Sequence, residues 1–133
     1  MSARIIAAIV LAGSVALGCG SPDPVNQTHQ GRLEESDPRL EQDNSLYDEY
    51  KFRAAEGWNI TVAMNSGEFD TYLHLVDPDG NTISQNDDIA AGNTNSQITM
   101  AAPKGGEYTV IANSLSQGET GAYTLTITAQ PGQ

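Results

Sequence analysis

From Gln30 onward apolar and polar residues alternate with a period of two, and no segment keeps the 3.6-residue period of a helix. A chain with that rhythm has to form strands that bury one face. Leu46, Tyr50, Phe52 and Ala54 share one side, with Tyr47, Glu49, Lys51 and Arg53 on the other. Trp58, Ile60, Val62 and Met64 oppose Asn59, Thr61 and Asn65. Residues 70–76 are more evenly apolar, as a central strand would be. The run Asp77-Pro78-Asp79-Gly80 then turns the chain, because Pro presets φ and Gly accepts φ > 0. Residues 82–85 return, residues 86–95 form a polar loop, and Ile98 and Met100 alternate with Gln97 and Thr99. Tyr108, Val110 and Ala112 oppose Thr109 and Asn113, and Tyr123, Leu125 and Ile127 alternate with Thr124, Thr126 and Thr128.

With a first strand near residues 31–34, this pattern predicts about eight short strands. Regular spacing with turn residues between them indicates an all-β fold, an antiparallel β-sandwich or barrel. The predicted inward set is Tyr50, Phe52, Trp58, Ile60, Val62, Met64, Leu73, Leu75, Ile98, Met100, Tyr108, Val110, Tyr123, Leu125 and Ile127. At roughly 1.5–3 kcal/mol per buried large side chain, such a set holds one small domain without disulfides. The single cysteine allows neither an internal disulfide nor a thiolate zinc site.

Charge narrows the function classes. Against 6 Lys+Arg stand 17 Asp+Glu, a formal net charge of −11 in 133 residues. A nucleic-acid binder needs a basic surface, so that class is disfavoured.

The N-terminus reads as a secretory address. Arg4 precedes an apolar stretch over residues 5–17, too short for the roughly 20 apolar residues of a membrane span. Cys19 follows Ala16-Leu17-Gly18, which resembles a bacterial lipobox. That resemblance implies cleavage after residue 18, diacylglycerol on Cys19, and a cell-envelope protein held on a membrane by its lipid. Ala16 stands where Leu is commonest, so cleavage at an ordinary signal-peptidase site and release as a secreted protein is the alternative. Gly20, rather than Asp, leans toward the outer membrane. Residues 19–30, with two prolines and no apolar periodicity, read as a flexible tether, and residues 31–130 as the domain.

Several spaced motifs carry a family resemblance. They are Gly31-x-Leu33, Asp48-x-Tyr50-x-Phe52, Gly57, Phe69-Asp70-Thr71-Tyr72-Leu73-x-Leu75, Pro78-x-Gly80, Asn86-Asp87-Asp88, Asn95-Ser96, Gly106-x-Tyr108 and Gly121-x-Tyr123-x-Leu125. In this order the chain resembles the bacterial pre-peptidase C-terminal domain. The resemblance implies a jelly-roll-like antiparallel β-sandwich and a non-catalytic accessory or binding module. Such domains usually follow secreted peptidases; here the domain is expected to stand alone behind its anchor.

Catalytic constellations are sparse. His29 and His74 are the two histidines, and His74 lies on an apolar strand. It reads as a structural histidine or one on the outer face of a sheet. Asp70 serves either turn geometry, accepting backbone N–H groups, or a ligand. Trp58 shares parity with the core, whereas Tyr47 shares parity with exposed charges. The expected function is a non-enzymatic, surface-anchored module binding an extracellular protein or polysaccharide, or assisting secreted proteins. The alternative is a structural or chaperone-like partner of a secreted protease or an envelope complex.

Calcium is the one cofactor to weigh. In collagenase-type relatives of the resembled family, ligands come from an acidic stretch before the first strand and from an Asp-rich turn before the Asp-x-aromatic-x-Phe strand. The second has a partial counterpart in Asp43-Asn44 and Asp48; the first is reduced to Pro24-Val25-Asn26-Gln27. The residues themselves offer another set, Asp70, Asp87 and Asp88, across a hairpin. Any calcium site is expected to be weak and at one of these two sets, the other reading being solvated loop charge.

Overall fold

A computed structural model describes residues 22–87 and 95–132. Cys19 and the signal-like segment lie outside the described residues. The strands are β1 (Val25–Leu33), β2 (Tyr47–Ala54), β3 (Asn59–Asn65), β4 (Thr71–Val76), β5 (Thr82–Asn86), β6 (Ser96–Ala101), β7 (Gly106–Ser114) and β8 (Gly121–Gln130). They form two four-stranded sheets, sheet I in the order β1-β8-β3-β6 and sheet II in the order β2-β7-β4-β5. Every pairing is antiparallel and the set is nested: β1 with β8, β2 with β7, β3 with β6, β4 with β5. One long antiparallel ribbon rolled into two layers gives this order, the arrangement of a jelly roll.

Alternation decides which side chains fill the space between the sheets. Tyr50, Phe52, Trp58, Ile60, Val62, Met64, Leu73, Leu75, Ile98, Tyr108, Val110, Tyr123, Leu125 and Ile127 are buried, joined by Leu33, Leu46 and Phe69. Met100 is only half-buried, because it sits near the end of the edge strand β6. The turn after β4 is built as its sequence demands. The Asp77 carboxylate accepts the N–H groups of Asp79 and Asn81, each at 2.9 Å, and Gly80 takes φ 91°.

The tether expected over residues 19–30 is corrected from Val25 onward. β1 begins there and pairs along β8 from Val25↔Ala129 to Leu33↔Gly121. Its inward positions include Gln27, His29 and Gly31, so the sequence shows no apolar alternation. The polar groups are matched locally: His29 Nε2 lies 2.8 Å from Gln27 Oε1, and the His29 ring packs 4.5 Å from the Tyr50 ring. Gly31 pairs with Tyr123, and a Cβ at position 31 would lie 2.4 Å from the Tyr123 ring. Only glycine lets that tyrosine lie across the strand.

The same tyrosine links the two sheets. Tyr123 on β8 donates to Asp48 Oδ2 on β2 at 2.5 Å, and the hydroxyls of Tyr50 and Tyr123 are 2.6 Å apart. A phenol has one proton to give. With that of Tyr123 directed to Asp48, Tyr50 is the donor to Tyr123. Burial, with Tyr50 and Asp48 adding to it, holds the Tyr123 hydroxyl far above the usual phenol range.

Antiparallel order sorts the connections. β1, β3, β5 and β7 run toward one end and the other four run back. The entry end, where β1 starts, carries the turns at 55–58, 77–81 and 102–105. The loop end carries residues 34–46, 66–70 and 115–120 and the end of β5. Register also fixes the outward rows of sheet I: Asn26–Thr128–Thr61–Thr99, Thr28–Thr126–Ala63–Gln97 and Gln30–Thr124–Asn65.

Candidate functional site: an acidic loop end beside a tyrosine-lined sheet face

The outer face of sheet II carries the row Tyr47–Asn113–Tyr72 nearest the loop end and, below it, the row Glu49–Ile111–His74–Gln85. Asn113 organises the upper row. Its Nδ2 donates to Ser45 Oγ at 2.9 Å and to the Leu46 carbonyl at 2.7 Å, so its Oδ1 is left to accept from His74 Nε2 at 3.3 Å. That contact puts the His74 proton on Nε2. The imidazole also packs 4.5 Å from the Tyr72 ring, and Tyr72 donates to Gln85 Oε1 at 2.8 Å. Burial lowers the His74 pKa, opposed by the Asn113 bond and the Asp43 charge. Tyr47 is half-buried, and burial followed by the Glu49 charge raises its pKa.

His74 and Asn113 are therefore buried although they point away from the core, because the 34–46 loop folds over this face. The sequence carries a signal for this. Val110-Ile111-Ala112 breaks the period of two, as happens when both faces of a strand are covered.

Charge is segregated along the strand axis. Among the described residues the loop end holds eleven carboxylates, Glu34, Glu35, Asp37, Glu41, Asp43, Asp48, Glu49, Glu68, Asp70, Asp87 and Glu119, against Arg32 and Arg39. The entry end holds Asp23, Glu56, Asp77, Asp79 and Glu107 against Lys51, Arg53 and Lys104. Asp37 and Asp48 are buried, but most of the others face solvent. The loop end is thus a strongly negative pole adjoining Tyr47 and Tyr72.

Of the two calcium sets, Asp43 and Asp48 are turned to different partners, and the Asp70, Asp87 and Asp88 set lies partly outside the described residues. Asp43 accepts from Ser45 N at 3.0 Å and Ser45 Oγ at 2.6 Å, which lowers its pKa and ties it over the outer side of sheet II. Asp48 points inward and is bonded to Tyr123. The two carboxylates serve opposite faces of the sheet and do not fit one cation. Asp70 uses its carbonyl, which accepts Leu115 N at 2.9 Å, while the turn after Asn65 is held by Ser66 and Asn95. Asp87 follows β5 at the loop end, and Asp88 lies outside the described residues. Among the described residues no three His, Cys, Asp or Glu side chains are grouped to hold a metal.

The fold has known counterparts. A periplasmic inhibitor of g-type lysozyme, PliG of Aeromonas hydrophila, superposes with a TM-score of 0.59 at 18% identity, covering 87% of this chain and 93% of that one. The pre-peptidase C-terminal domain of the Bacillus anthracis collagenase gives 0.59 at 22% identity, covering 77% and 89%. PliG of Salmonella Typhimurium gives 0.52 at 19% identity, covering 87% and 95%. No curated protein sequence is significantly similar to this one. The sequence model of the bacterial pre-peptidase C-terminal domain matches residues 46–114, from the residue before β2 to the end of β7. Those residues include the Phe69-Asp70-Thr71-Tyr72-Leu73 strand and the Asp48-x-Tyr50-x-Phe52 strand, and with them this chain belongs to the bacterial pre-peptidase C-terminal domain family.

Proposed function

We propose that the protein is a non-catalytic binding module that captures a basic protein of the cell envelope or its surroundings through the acidic loop end and the adjoining Tyr47–Tyr72 edge of sheet II. The observation that carries this reading is the charge segregation: eleven carboxylates against two arginines at one end of a small sandwich, among the described residues. A one-signed end focuses field and raises encounter rates with a partner of opposite sign, by about 10- to 1000-fold. Tyrosines beside it supply rigid contact area with a polar tip.

Two fold neighbours are inhibitors of g-type lysozyme, so this sandwich is used elsewhere to bind a protein. A g-type lysozyme is accordingly the first partner to try. Both histidines are already engaged, His29 by Gln27 and Tyr50 and His74 by Asn113 and Tyr72, which argues against either as a general base. The chaperone-like alternative calls for an exposed apolar patch, and Leu115 is the one exposed large hydrophobic side chain among the described residues.

The lipid anchor on Cys19 completes the reading, placing the protein in the envelope. Mass spectrometry of the mature N-terminus tests it, with an acylated Cys19 expected and a free terminus elsewhere refuting it. Capture from native envelope with the full chain tests the partner. Basic proteins recovered by the wild type should be lost with Glu35→Gln, Glu41→Gln and Glu49→Gln combined, and lysozyme inhibition should weaken in parallel. Recovery that is indifferent to those charges refutes the proposal.

A further inference from the structure

Residues 34–46, between β1 and β2, carry five of the eleven carboxylates of the loop end: Glu34, Glu35, Asp37, Glu41 and Asp43. The segment lies outside the eight strands, yet it is wired internally. Leu40 N donates to the Ser45 carbonyl and Asn44 N to the Leu40 carbonyl, both at 2.8 Å, and Tyr47 N donates to the Pro38 carbonyl at 3.0 Å. Arg39 spans the bend, donating to Glu35 Oε1 at 2.9 Å and to the Asn44 carbonyl at 3.1 Å. Asn44 closes it with a left-handed φ of 62°, which asparagine tolerates.

Leu46 and Asn113 fasten this piece to the sandwich. Leu46 is buried in the core. Asn113, fully buried in the loop-end row of sheet II, spends its amide protons on the loop, at Ser45 Oγ and the Leu46 carbonyl. Ser45 passes the order on, its Oγ donating to Asp43 Oδ1 at 2.6 Å. The line Asn113–Ser45–Asp43 thus runs from a strand of the sheet to a carboxylate of the acidic surface. Pairing of β7 with β2 and β4 is done by backbone and needs no amide side chain here, and Val110-Ile111-Ala112 just before it are hydrocarbon. A buried amide costs desolvation unless its bonds are met, and Asn113 meets those of its nitrogen on the loop.

His74 lies under the same loop. Around it stand Ile111 and Asn113 of β7, Tyr72 of its own strand, Gln85 of β5 and, from the loop, Asp43, while Glu49 ends the same row two strands away. Asp43 and Glu49 are the charged members of that set. Burial outweighs the attraction of Asp43 and holds the imidazole pKa below its usual value. Lifting the loop returns the ring to water and to about 6.5. Protons therefore favour the lifted form as pH falls below about 6.5, down to the lowered value of the closed form. Asp43, held below 3.8 by Ser45, titrates beneath that window.

We infer that Asn113 is the latch of the 34–46 loop, a positioning residue for the carboxylates of the capture surface, and that the loop lifts as a local unit from an otherwise intact sandwich, more readily in acid. The effect on binding rests on the loop end being the capture surface; the lifting does not.

Native-state hydrogen exchange of the full chain measures the lifting. Detached from the sheet, so short a loop keeps no hydrogen bond against water, and the amides of Leu40, Asn44 and Tyr47 report its release. Those of Leu125 and Ile127, on a strand paired on both sides, report global unfolding. Ile60→Val, in the core of sheet I, should speed the β8 amides and leave the loop amides unchanged. Asn113→Ala should speed the loop amides at least about tenfold, and Ser45→Ala, which removes one of the two bonds, about threefold. Between pH 7.5 and 5.5 the opening constant of the wild-type loop should rise severalfold after correction for intrinsic rates. The rise should vanish in His74→Gln, which keeps an N–H donor for Asn113 but cannot be charged. With a g-type lysozyme as the probe, Asn113→Ala should weaken binding about tenfold through faster dissociation, the association rate holding because every charge is kept. If the probe does not bind the wild type, the partner reading fails, and the exchange results still uphold or overturn the latch. Loop amides that follow Ile60→Val, loop amides indifferent to both Asn113→Ala and Ser45→Ala, a pH rise that persists in His74→Gln, or lysozyme binding unchanged by Asn113→Ala each overturns the inference.

Discussion

Replacing Tyr123 by Phe removes one oxygen and should cost more stability than its size implies. In the native chain Tyr50 donates to Tyr123 and Tyr123 donates to the buried Asp48 carboxylate. Tyr123→Phe deletes a charge-assisted bond, about 1.5–3 kcal/mol, and takes from Tyr50 the acceptor it donates to, about 1–3 kcal/mol more. The ring and its edge contact with Phe69 are kept, so no cavity cost is added. A loss of at least about 2.5 kcal/mol follows, which for a domain of this size lowers Tm by at least about 10 °C. Tyr50→Phe removes only the outer donor and should cost about 0.5–1.5 kcal/mol. The double variant should be no less stable than Tyr123→Phe alone, since removing Tyr50's hydroxyl relieves the group that lost its acceptor. Urea unfolding of the three variants measures this order directly. Equal losses for Tyr50→Phe and Tyr123→Phe, or a double variant that is the simple sum, refutes the chain of donors.

Gly31→Ala should destabilise the domain by about 1–3 kcal/mol by overpacking, because its Cβ meets the Tyr123 ring; a denaturant curve superposable on wild type refutes that contact. Burial lowers the pKa of both His29 and His74, so the unfolded chain takes up protons that the folded one refuses. Their contribution is intact above pH 6.5 and eroded as pH falls from 6.5 toward the lowered native values. Tm should therefore drop on acidification in that window, and less steeply in His74→Asn. With β1 starting at Val25, limited proteolysis with proteinase K should cut no later than residue 24 on the N-terminal side. Cuts within residues 25–30 refute the pairing with β8. Calcium at millimolar concentration should raise stability by no more than the roughly 0.4 kcal/mol of a half-saturated site, and a larger shift against chelator means that carboxylates are gathered more tightly than Asp43 and Asp48 are.

Alternation in the sequence revealed the strands whose partners are apolar, and this is why β2, β3, β6 and β8 were readable almost residue by residue. β1 was readable only at its end, because its buried side is filled by Gln27, His29 and Gly31, whose fit depends on Tyr50 and Tyr123 from distant strands. Local pattern cannot register a side chain that becomes acceptable only once its partner arrives. The carboxylates show the same limit from the other side. Asp43 and Asp48 are five residues apart and looked like one ligand set, yet the start of β2 turns one outward to Ser45 and the other inward to Tyr123. The covered outer face around His74 and Asn113 was half visible, in the unbroken apolar run of β7. Ser45, which holds Asn113 in place, gave no signal of its own.

The charge pattern becomes legible only through topology. In sequence the carboxylates are scattered from Asp23 to Glu119, with no block that would mark an acidic tail. Antiparallel order folds every second connection to the same end, and the acidic connections, 34–46 and 66–70, both fall on the loop end. The entry end holds three of the described cations, Lys51 and Arg53 on β2 and Lys104 in the turn at 102–105, where it pairs with Asp79. An anchor at Cys19 would leave five residues before β1, a reach of less than about 20 Å. The entry end would then face the lipid and the acidic end would project away from it. In that orientation a negatively charged membrane surface meets the less acidic end, and a basic partner meets the more acidic one. Moving the anchor tests whether the polarity matters. Attaching the lipid-bearing segment after residue 132 leaves the domain at the entry end, because β8 finishes beside the start of β1. Attaching it instead through a cysteine at Ser116 in the loop between β7 and β8 inverts the domain on the membrane. Partner capture by intact vesicles should survive the first change and be lost with the second, and equal capture from both would show that the acidic end is not the surface that binds.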